Sequence, residues 1–504
     1  MQYVIGVDVG TSGTKTVLFD KEGNAVAHST IEYPMYQPQN GWAEQDAQDF
    51  WEASVGTIKD VISKSGVNPS DIAGLGISGQ MHGLVMLDEK GDVLRRCIIW
   101  CDGRTIDECR EITALVGEKR LIEITANPAL TGFTAGKILW VRKHEPKIYA
   151  KCRYMLLPKD YIRYKLTGAV ATEVSDASGM NLLDVAGRCW SKEVLEKLDI
   201  DENLLGKMNE SCEVTGEVSE EAAKLTGLKP GTPVVGGAGD NAAAAVGTGV
   251  VENGRAFVTI GTSGVIFAHT DKMVIDPEGR VHTFCAAVPG AYTVMSCTLS
   301  AGGSLQWFRN NFCESEMAVA KNLGVDPYEL MTSQAEKSPI GANRLLFLPY
   351  LMGERSPLLD PYARGVFFGL SGIHTKQDVL RSIMEGVAFS QRECLDIIEE
   401  MGVTFSEMLA TGGGGRSVFL RQMLSDNLGY PVKTIQNQEG AALGVAILAA
   451  VGAGLYKSVP EACQNILKFN EPQIPQNRDK YTPSFELYKR LYRSLKGEFQ
   501  ALRT

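Results

Sequence analysis

Five places along the 504-residue chain put reactive or close-approach residues where an apolar run gives way to a turn. The first is Asp8, a lone carboxylate in Val4-Ile5-Gly6-Val7-Asp8-Val9, just ahead of a glycine turn. An ionised group in such a strand is costly unless something compensates it. A magnesium ion held through water beside bound phosphates would do so; an Asp that merely bonds the N–H groups of its own turn is the competing reading. The second is the tetrapeptide Gly-Thr-Ser-Gly, at Gly10-Thr11-Ser12-Gly13 and again at Gly261-Thr262-Ser263-Gly264. Small residues let backbone N–H groups approach an anion, and hydroxyls add donors. Thr14 and Lys15 extend the first copy, and Lys15 adds charge. A single copy reads as an ordinary hairpin turn, whereas two copies can face each other across a cleft and grip one polyphosphate.

The third place is Val234-Val235-Gly236-Gly237-Ala238-Gly239-Asp240-Asn241, followed by four alanines. Asp240 stands where a helix N-cap is expected, and the alternative is a general base that takes a hydroxyl proton during phosphoryl transfer. The fourth is the run Gly412-Gly413-Gly414-Gly415, which weakens folding unless a ligand or a tight approach needs it. A flat ring such as adenine, or its ribose, could lie against that backbone; a long flexible turn is the plainer reading. The fifth is Ser78-Gly79-Gln80-Met81-His82-Gly83, where Gln80 and His82 offer the mixed donors and acceptors that sugar hydroxyls want. A lone His on a strand exit is by itself more often structural. No Walker A pattern occurs: Gly136-Lys137 and Gly206-Lys207 are followed by Ile and Met, which disfavours a P-loop.

The elements that must position these groups read as α/β. Strand, glycine turn and strand recur from Tyr3 to Asp20 and from Ala256 to His269, 251 residues apart, which suggests two related halves. Helical spacing covers 49–63, 138–144, 377–401 and 418–428, with strands at 74–78 and ending at 408–410. From Phe485 the tail carries Leu487, Leu491, Leu495 and Phe499 at every fourth position, an amphipathic closing helix. The halves are expected to be 1–245 and 246–504, with the boundary near 245–255.

Bulk properties narrow the partners. Hydrophobic residues make up 44% and charged residues 22%, the balance of a soluble globular protein of two or more domains. A net charge of -10, with both signs mixed, repels nucleic acid on average, so a phosphate site must be local and built largely from backbone. The longest apolar stretch, 441–455, is broken by glycines and short for a membrane span. No signal-peptide pattern opens the chain, and eleven scattered cysteines fit a reducing cytoplasm better than a metal site on Cys97 and Cys101.

Taken together, these motifs resemble the FGGY family of carbohydrate kinases over nearly the whole chain, in order and in separation. That resemblance implies an actin-like, ribonuclease H-like pair of domains with a cleft between them, ATP and Mg2+ as cofactors, and a small sugar as substrate. It implies that Gly10 to Lys15 form the first phosphate loop with Asp8 near the metal. Gly261, Thr262 and Ser263 would form the second, Gly412 to Gly415 the adenosine-binding turn, and Asp240 the catalytic base. Gln80, Met81 and His82 are similar to the sugar loop of the family's ketopentose kinases, those acting on D-xylulose above all; its glycerol kinases carry an Arg-Glu pair there. Trp100 and Asn241 join the expected sugar site, and the stretches 41–46 and 100–104 are expected to wall it. Kinases of ribulose, fuculose, gluconate or glycerol share most of this frame. An actin-like ATPase without a sugar, or a sugar-sensing regulator, is the more distant alternative; no helix-turn-helix is apparent at either end. A homodimer stays open as the assembly.

Overall fold

The computed structural model describes residues 2–437 and 439–502. Two mixed sheets dominate it. The first contains β1 (Tyr3–Val9), β2 (Gly13–Asp20), β3 (Ala25–Glu32), β4 (Ile72–Gly79), β5 (Val214–Glu217), β6 (Pro233–Val235) and β7 (Ala238–Gly239). The second contains β8 (Gly254–Ile260), β9 (Gly264–Thr270), β10 (His282–Cys285), β11 (Tyr292–Thr298), β12 (Phe405–Thr411) and β13 (Val432–Lys433). In the first, β1 runs antiparallel to β2 and parallel to β4, which is parallel to β6. In the second, β8 runs antiparallel to β9 and parallel to β12, which is parallel to β13. The strand plan thus repeats, with each Gly-Thr-Ser-Gly tetrapeptide in the tight turn of its half's leading hairpin.

Both faces of the first sheet are covered, which is why β1 reads as nearly unbroken hydrophobic sequence. Ile5, Val7 and Val9 pack with Phe50, Trp51, Ile58 and Val61 of α1 (Ala47–Ser65), so the odd positions face one way. Val4 lies in a different cluster, with α2 (Asp240–Thr248) and α5 (Gly440–Gly452). Strand alternation therefore puts Asp8 on the Val4 and Gly6 side, toward those two helices. The apolar stretch near 441–455 is this α5, buried between the sheets rather than in a membrane. Among the described residues no helix is long and apolar enough to cross one.

Of the helices read from sequence, 377–401 corresponds to α3 (Lys376–Glu400) and 418–428 to α4 (Val418–Leu428). The closing helix differs: α6 (Arg478–Ala501) begins seven residues before Phe485. Its buried side is Tyr481, Phe485, Tyr488, Leu491, Tyr492 and Phe499, while Leu487 is 36% exposed. A repeat of four drifts by about 40° per step around a 3.6-residue helix, so it does not stay on one face.

The two interposed helices approach most closely at glycines. A Cβ at Gly444 would run into the Ala243 carbonyl oxygen, and one at Gly247 into that of Gly440. On the sheet side, Gly6 and Gly76 meet the carbonyls of Ala442 and Val445 in the same way. Replacing Gly444 by Ala should therefore destabilise the fold by about 1–3 kcal/mol through overpacking. Urea unfolding measures this, and an unchanged midpoint would show that the helices can separate freely.

Candidate active site

The two glycine turns share one design. In the first, the Gly10 N–H donates to the Gly13 carbonyl at 3.0 Å. The Gly10 and Thr11 carbonyls accept from Tyr33 Oη at 2.5 Å and Gln45 Nε2 at 2.7 Å. In the second, the Gly261 N–H donates to the Ser263 carbonyl at 3.0 Å. The Gly261 carbonyl there accepts from the Gly302 N–H at 2.7 Å, and that of Thr262 from Ala301 at 2.9 Å. The carbonyls are thus turned to the protein, and among the described residues no protein acceptor takes the N–H groups of Thr11, Ser12, Thr262 or Ser263. Ser12 and Thr262 are exposed. Free N–H groups on a glycine turn are what an anion needs. Lys15 is placed differently from a free phosphate ligand, because its ammonium pairs with Glu439, the residue before α5. Thr14 is fully buried.

Asp8 and Asp240 lie within each other's field. Asp8 sits across from Lys15 and beside Ser78; its Oδ1 is enclosed and has no hydrogen-bond partner among the described residues. Burial raises its pKa, and Ser78 and Lys15 pull the other way. Asp240 opens α2 without capping it: Gly239 occupies the N-cap. Asp240 Oδ1 accepts from Asn241, its N–H at 2.7 Å and its Nδ2 at 2.9 Å. Burial first, and then the charge of Asp8, push the Asp240 pKa up to about 7. A carboxyl there gains and loses a proton near neutral pH, as a general base must. Among the described residues no three His, Cys, Asp or Glu side chains converge on a metal site. Asp8 and Asp240 offer one or two carboxylates, the protein share that Mg2+ takes when phosphates and water supply the rest.

Behind Asp240 lies a buried charge cluster that carries no sequence signature. Lys159 contacts Asp160 at 2.7 Å, Glu173 at 3.2 Å and Asp176 at 3.6 Å, all fully enclosed. Among the described residues neither Asp176 oxygen has a hydrogen-bond partner. Burial holds its pKa well up, and Asp240 adds to this. The neighbouring Ser175 Oγ accepts from the Gly239 N–H at 3.3 Å, tying this segment to the start of α2.

The loop after β4 leans on the same point. A Cβ at Gly239 would meet Met81 Cγ at 2.8 Å, so Met81 packs directly beside Asp240's neighbour. His82 adopts φ 69°, a left-handed conformation unusual for any residue but Gly. Its Nδ1 lies 2.9 Å from the Gly179 carbonyl. A carbonyl only accepts, so Nδ1 carries the hydrogen and Nε2 is left as an acceptor. Burial, reinforced by Lys137, holds His82 neutral. Its ring lies 4.6 Å from Phe133 and 6.4 Å from Phe284 of β10, so both halves of the chain border it. Lys137 is fully buried and donates to the His82 and Gly132 carbonyls, each at 2.7 Å.

Gln80 is buried with both ends of its amide engaged by protein, to Gln45 at 2.8 Å and Thr11 at 3.4 Å. Trp100, 44% exposed, donates its indole N–H to Thr11 Oγ1 at 2.9 Å. The stretches 41–46 and 100–104 brace one another. Arg104 bridges Asp102 and Glu44 over the Trp42 ring, and Asp46 caps α1.

A cavity of about 760 Å³ lies between the second turn and the glycine run, bordered by Gly261, Thr262, Gly413, Gly414, Tyr328 and Phe419. Only the middle two glycines of the run border it. Gly412 takes φ 73° against the Ile260 carbonyl, and Gly415 is buried against Ala410. The run is no floppy loop but a helical turn, Gly413–Arg416, leading into α4. Tyr328, Phe419 and Lys137 were not singled out from the sequence, because an aromatic or a lysine at helical spacing looks like any other until its tertiary contacts are known.

Two related α/β halves, each with a glycine turn whose N–H groups suit an anion, define the class of this molecule, and comparison with known proteins gives its family. Residues 3–247 match the N-terminal domain of the FGGY family of carbohydrate kinases and residues 256–453 match its C-terminal domain. The chain belongs to that family. The xylulose kinase of Bacillus subtilis (strain 168) is 37% identical to it, over 100% of this chain and 99% of that protein. The xylulose kinase of Escherichia coli (strain K12) is 38% identical over 97% and 99%. The crystal structure of ligand-bound xylulose kinase from Lactobacillus acidophilus superposes with a TM-score of 0.92 at 27% identity, covering 100% of each chain.

Lys137 gives this site a direct structural test. Lys137→Met keeps the bulk but strips the His82 and Gly132 carbonyls of a donor, a change expected to cost about 1–3 kcal/mol. Calorimetric unfolding at pH 7 measures it, and a wild-type midpoint would deny Lys137 its bracing role.

Proposed function

We propose that this carbohydrate kinase transfers the γ-phosphoryl group of ATP to the terminal hydroxyl of a ketopentose, D-xylulose. The observation that carries the reading is the packing of the Met81-His82 loop against Gly239, directly beside a carboxyl group whose pKa lies near 7. Similarity to relatives named xylulose kinase over the full chain supports the choice of sugar.

In this reading the sugar lies by His82, whose Nε2 accepts a sugar hydroxyl, with Met81, Trp100 and Asn241 around it. Asp240 takes the proton of the terminal hydroxyl as that oxygen attacks phosphorus. The bond from the γ-phosphorus to its bridging oxygen breaks, ADP leaves, and the sugar phosphate forms. The N–H groups of the two turns, from Gly10 to Gly13 and from Gly261 to Ser263, hold the phosphates. The adenosine occupies the cavity beside Gly413 and Gly414. Asp8 would hold Mg2+ through water, and the ion would spread the negative charge of the phosphates. Closure of the two halves keeps water from competing for the phosphoryl group. Eleven unpaired cysteines suit work in the cytoplasm.

An ADP-release assay over D-xylulose, D-ribulose, L-fuculose, glycerol and gluconate tests the substrate. D-xylulose should give the highest kcat/KM; a higher value for another acceptor replaces it, and ATP hydrolysis indifferent to every sugar ends the kinase reading. Asp240→Ala should lower kcat by about 10²–10⁴-fold with nucleotide affinity little changed, and retained turnover would exclude it as the base. Because a base must be ionised, kcat/KM should fall as pH drops through about 7. Removing the like charge in Asp8→Asn should move that limb to lower pH in the residual activity. A limb that stays in place would mean Asp8 does not act on Asp240.

A further inference from the structure

The two buried glutamines near the first glycine turn are not used by the reaction just described, yet their hydrogen bonds close on themselves. Thr11 Oγ1 donates to Gln80 Oε1 at 3.4 Å. Gln80 Nε2 donates to Gln45 Oε1 at 2.8 Å, and Gln45 Nε2 donates to the Thr11 carbonyl at 2.7 Å. The path leaves the Thr11 side chain and returns to the Thr11 backbone. Its direction is set by chemistry: the Thr11 carbonyl accepts only, so it must face the Gln45 amide N–H. The Gln45 oxygen then faces Gln80 Nε2, and the Gln80 oxygen faces the hydroxyl. Gln45 is 0% exposed and Gln80 1% exposed, so no water can stand in for a missing partner. Gln80 is anchored in turn through its own N–H to the Val9 carbonyl at 2.9 Å.

The ring ties together two places that the reaction needs in register. Thr11 is the tip of the first turn, flanked by residues whose backbone is soft because Gly10 and Gly13 carry no side chain. Gln80 begins the loop that carries Met81 and His82. Trp100 enters from outside, giving its indole N–H to the same Thr11 hydroxyl at 2.9 Å. Its backbone stands against Gly132, whose carbonyl shares Lys137 Nζ with that of His82.

We propose that Thr11, Gln45 and Gln80 are positioning residues that lock the first phosphate turn to the sugar loop, with Trp100 closing the lock from the sugar side. The lock rests on the placement of phosphate and sugar given above. Sugar binding buries Trp100, strengthens its bond to Thr11 and fixes the turn for the nucleotide. Sugar and nucleotide therefore bind cooperatively through this ring, and each tightens the other by the same factor.

Thr11→Val removes the hydroxyl while keeping the shape and the backbone carbonyl. Gln45→Leu removes both amide groups at similar volume. With whichever acceptor in the panel turns over fastest, each should lower kcat by about tenfold to a hundredfold, and at saturating ATP the sugar KM should rise by about fivefold, the same factor that the nucleotide loses. Thr11→Ser should restore most of the loss, and the double variant should be no worse than the poorer single one, since either change opens the same ring. In calorimetry with a non-hydrolysable ATP analogue, the wild-type chain should bind about fivefold more tightly when the sugar is present, and Thr11→Val should lose that gain. Unchanged kcat in Thr11→Val, a Thr11→Ser variant as poor as Val, additive losses, or no sugar effect on nucleotide affinity in the wild-type chain would each overturn the lock. Should Gln45→Leu fail to fold, the Val and Ser variants at the half-exposed Thr11 decide alone. Failure of D-xylulose as substrate overturns the functional reading without touching these comparisons, because they use the best acceptor found.

Discussion

The crossing of α2 over α5 is the contact on which the rest of this molecule depends. Two helices can come so close only where one offers no Cβ, and Gly247 and Gly444 provide that opening to backbone carbonyls. The first helix leads from the first sheet into the second; the other returns from the second half to cover the first sheet through Gly6 and Gly76. Each half therefore completes its core with the other's backbone. Interiors packed to this density shift between discrete arrangements rather than deform smoothly.

The same packing settles the electrostatics. The chain carries a net charge of -10, yet its candidate site must hold a polyphosphate. The two glycine turns offer backbone N–H groups rather than a basic patch, and Lys15 beside the first turn is engaged by Glu439. Carboxylates facing α2 and α5 lose water without gaining enough partners. Asp8 keeps an unpaired oxygen, and Asp240 is driven to a pKa of about 7. The cluster around Lys159 shows the opposite outcome, in which Asp160 and Glu173 are fully bonded and Asp176 is the carboxyl left over. A buried charge is costly unless it is paired, and Asp8 and Asp176 each keep oxygens for which the described residues offer no hydrogen bond.

Much of the site was legible because its parts are local. A glycine turn between two apolar strands declares itself in six residues, and Asp240 stands out as a carboxylate between small residues. Gln80 and Lys15 were legible as polar residues in the right place, but not in their partners. Gln80 turns inward because Gln45, 35 positions away, comes to meet it, and Lys15 is met by Glu439. The glycine run shows the same limit. Its composition marks close approach, but which two of the four glycines face a cavity depends on the Ile260 and Ala410 backbones beside it. In the closing helix, fourfold spacing found Leu491, Leu495 and Phe499 on the packed side but included the exposed Leu487 and missed the buried Tyr481, Tyr488 and Tyr492, since a real helix turns in 3.6 residues.

What the sequence determined by itself is the alternation of strands and helices, the doubling of the hairpin and the residue types at each turn. These follow from nearest-neighbour physics: side-chain period, glycine's freedom and the cost of an isolated charge in an apolar strand. What only the tertiary structure decided is which charges meet, which amides face one another, and that His82 is bordered by rings from both halves. Those depend on contacts between segments tens to hundreds of residues apart. Their geometry is set by two sheets closing on a pair of crossed helices, and no local pattern encodes it.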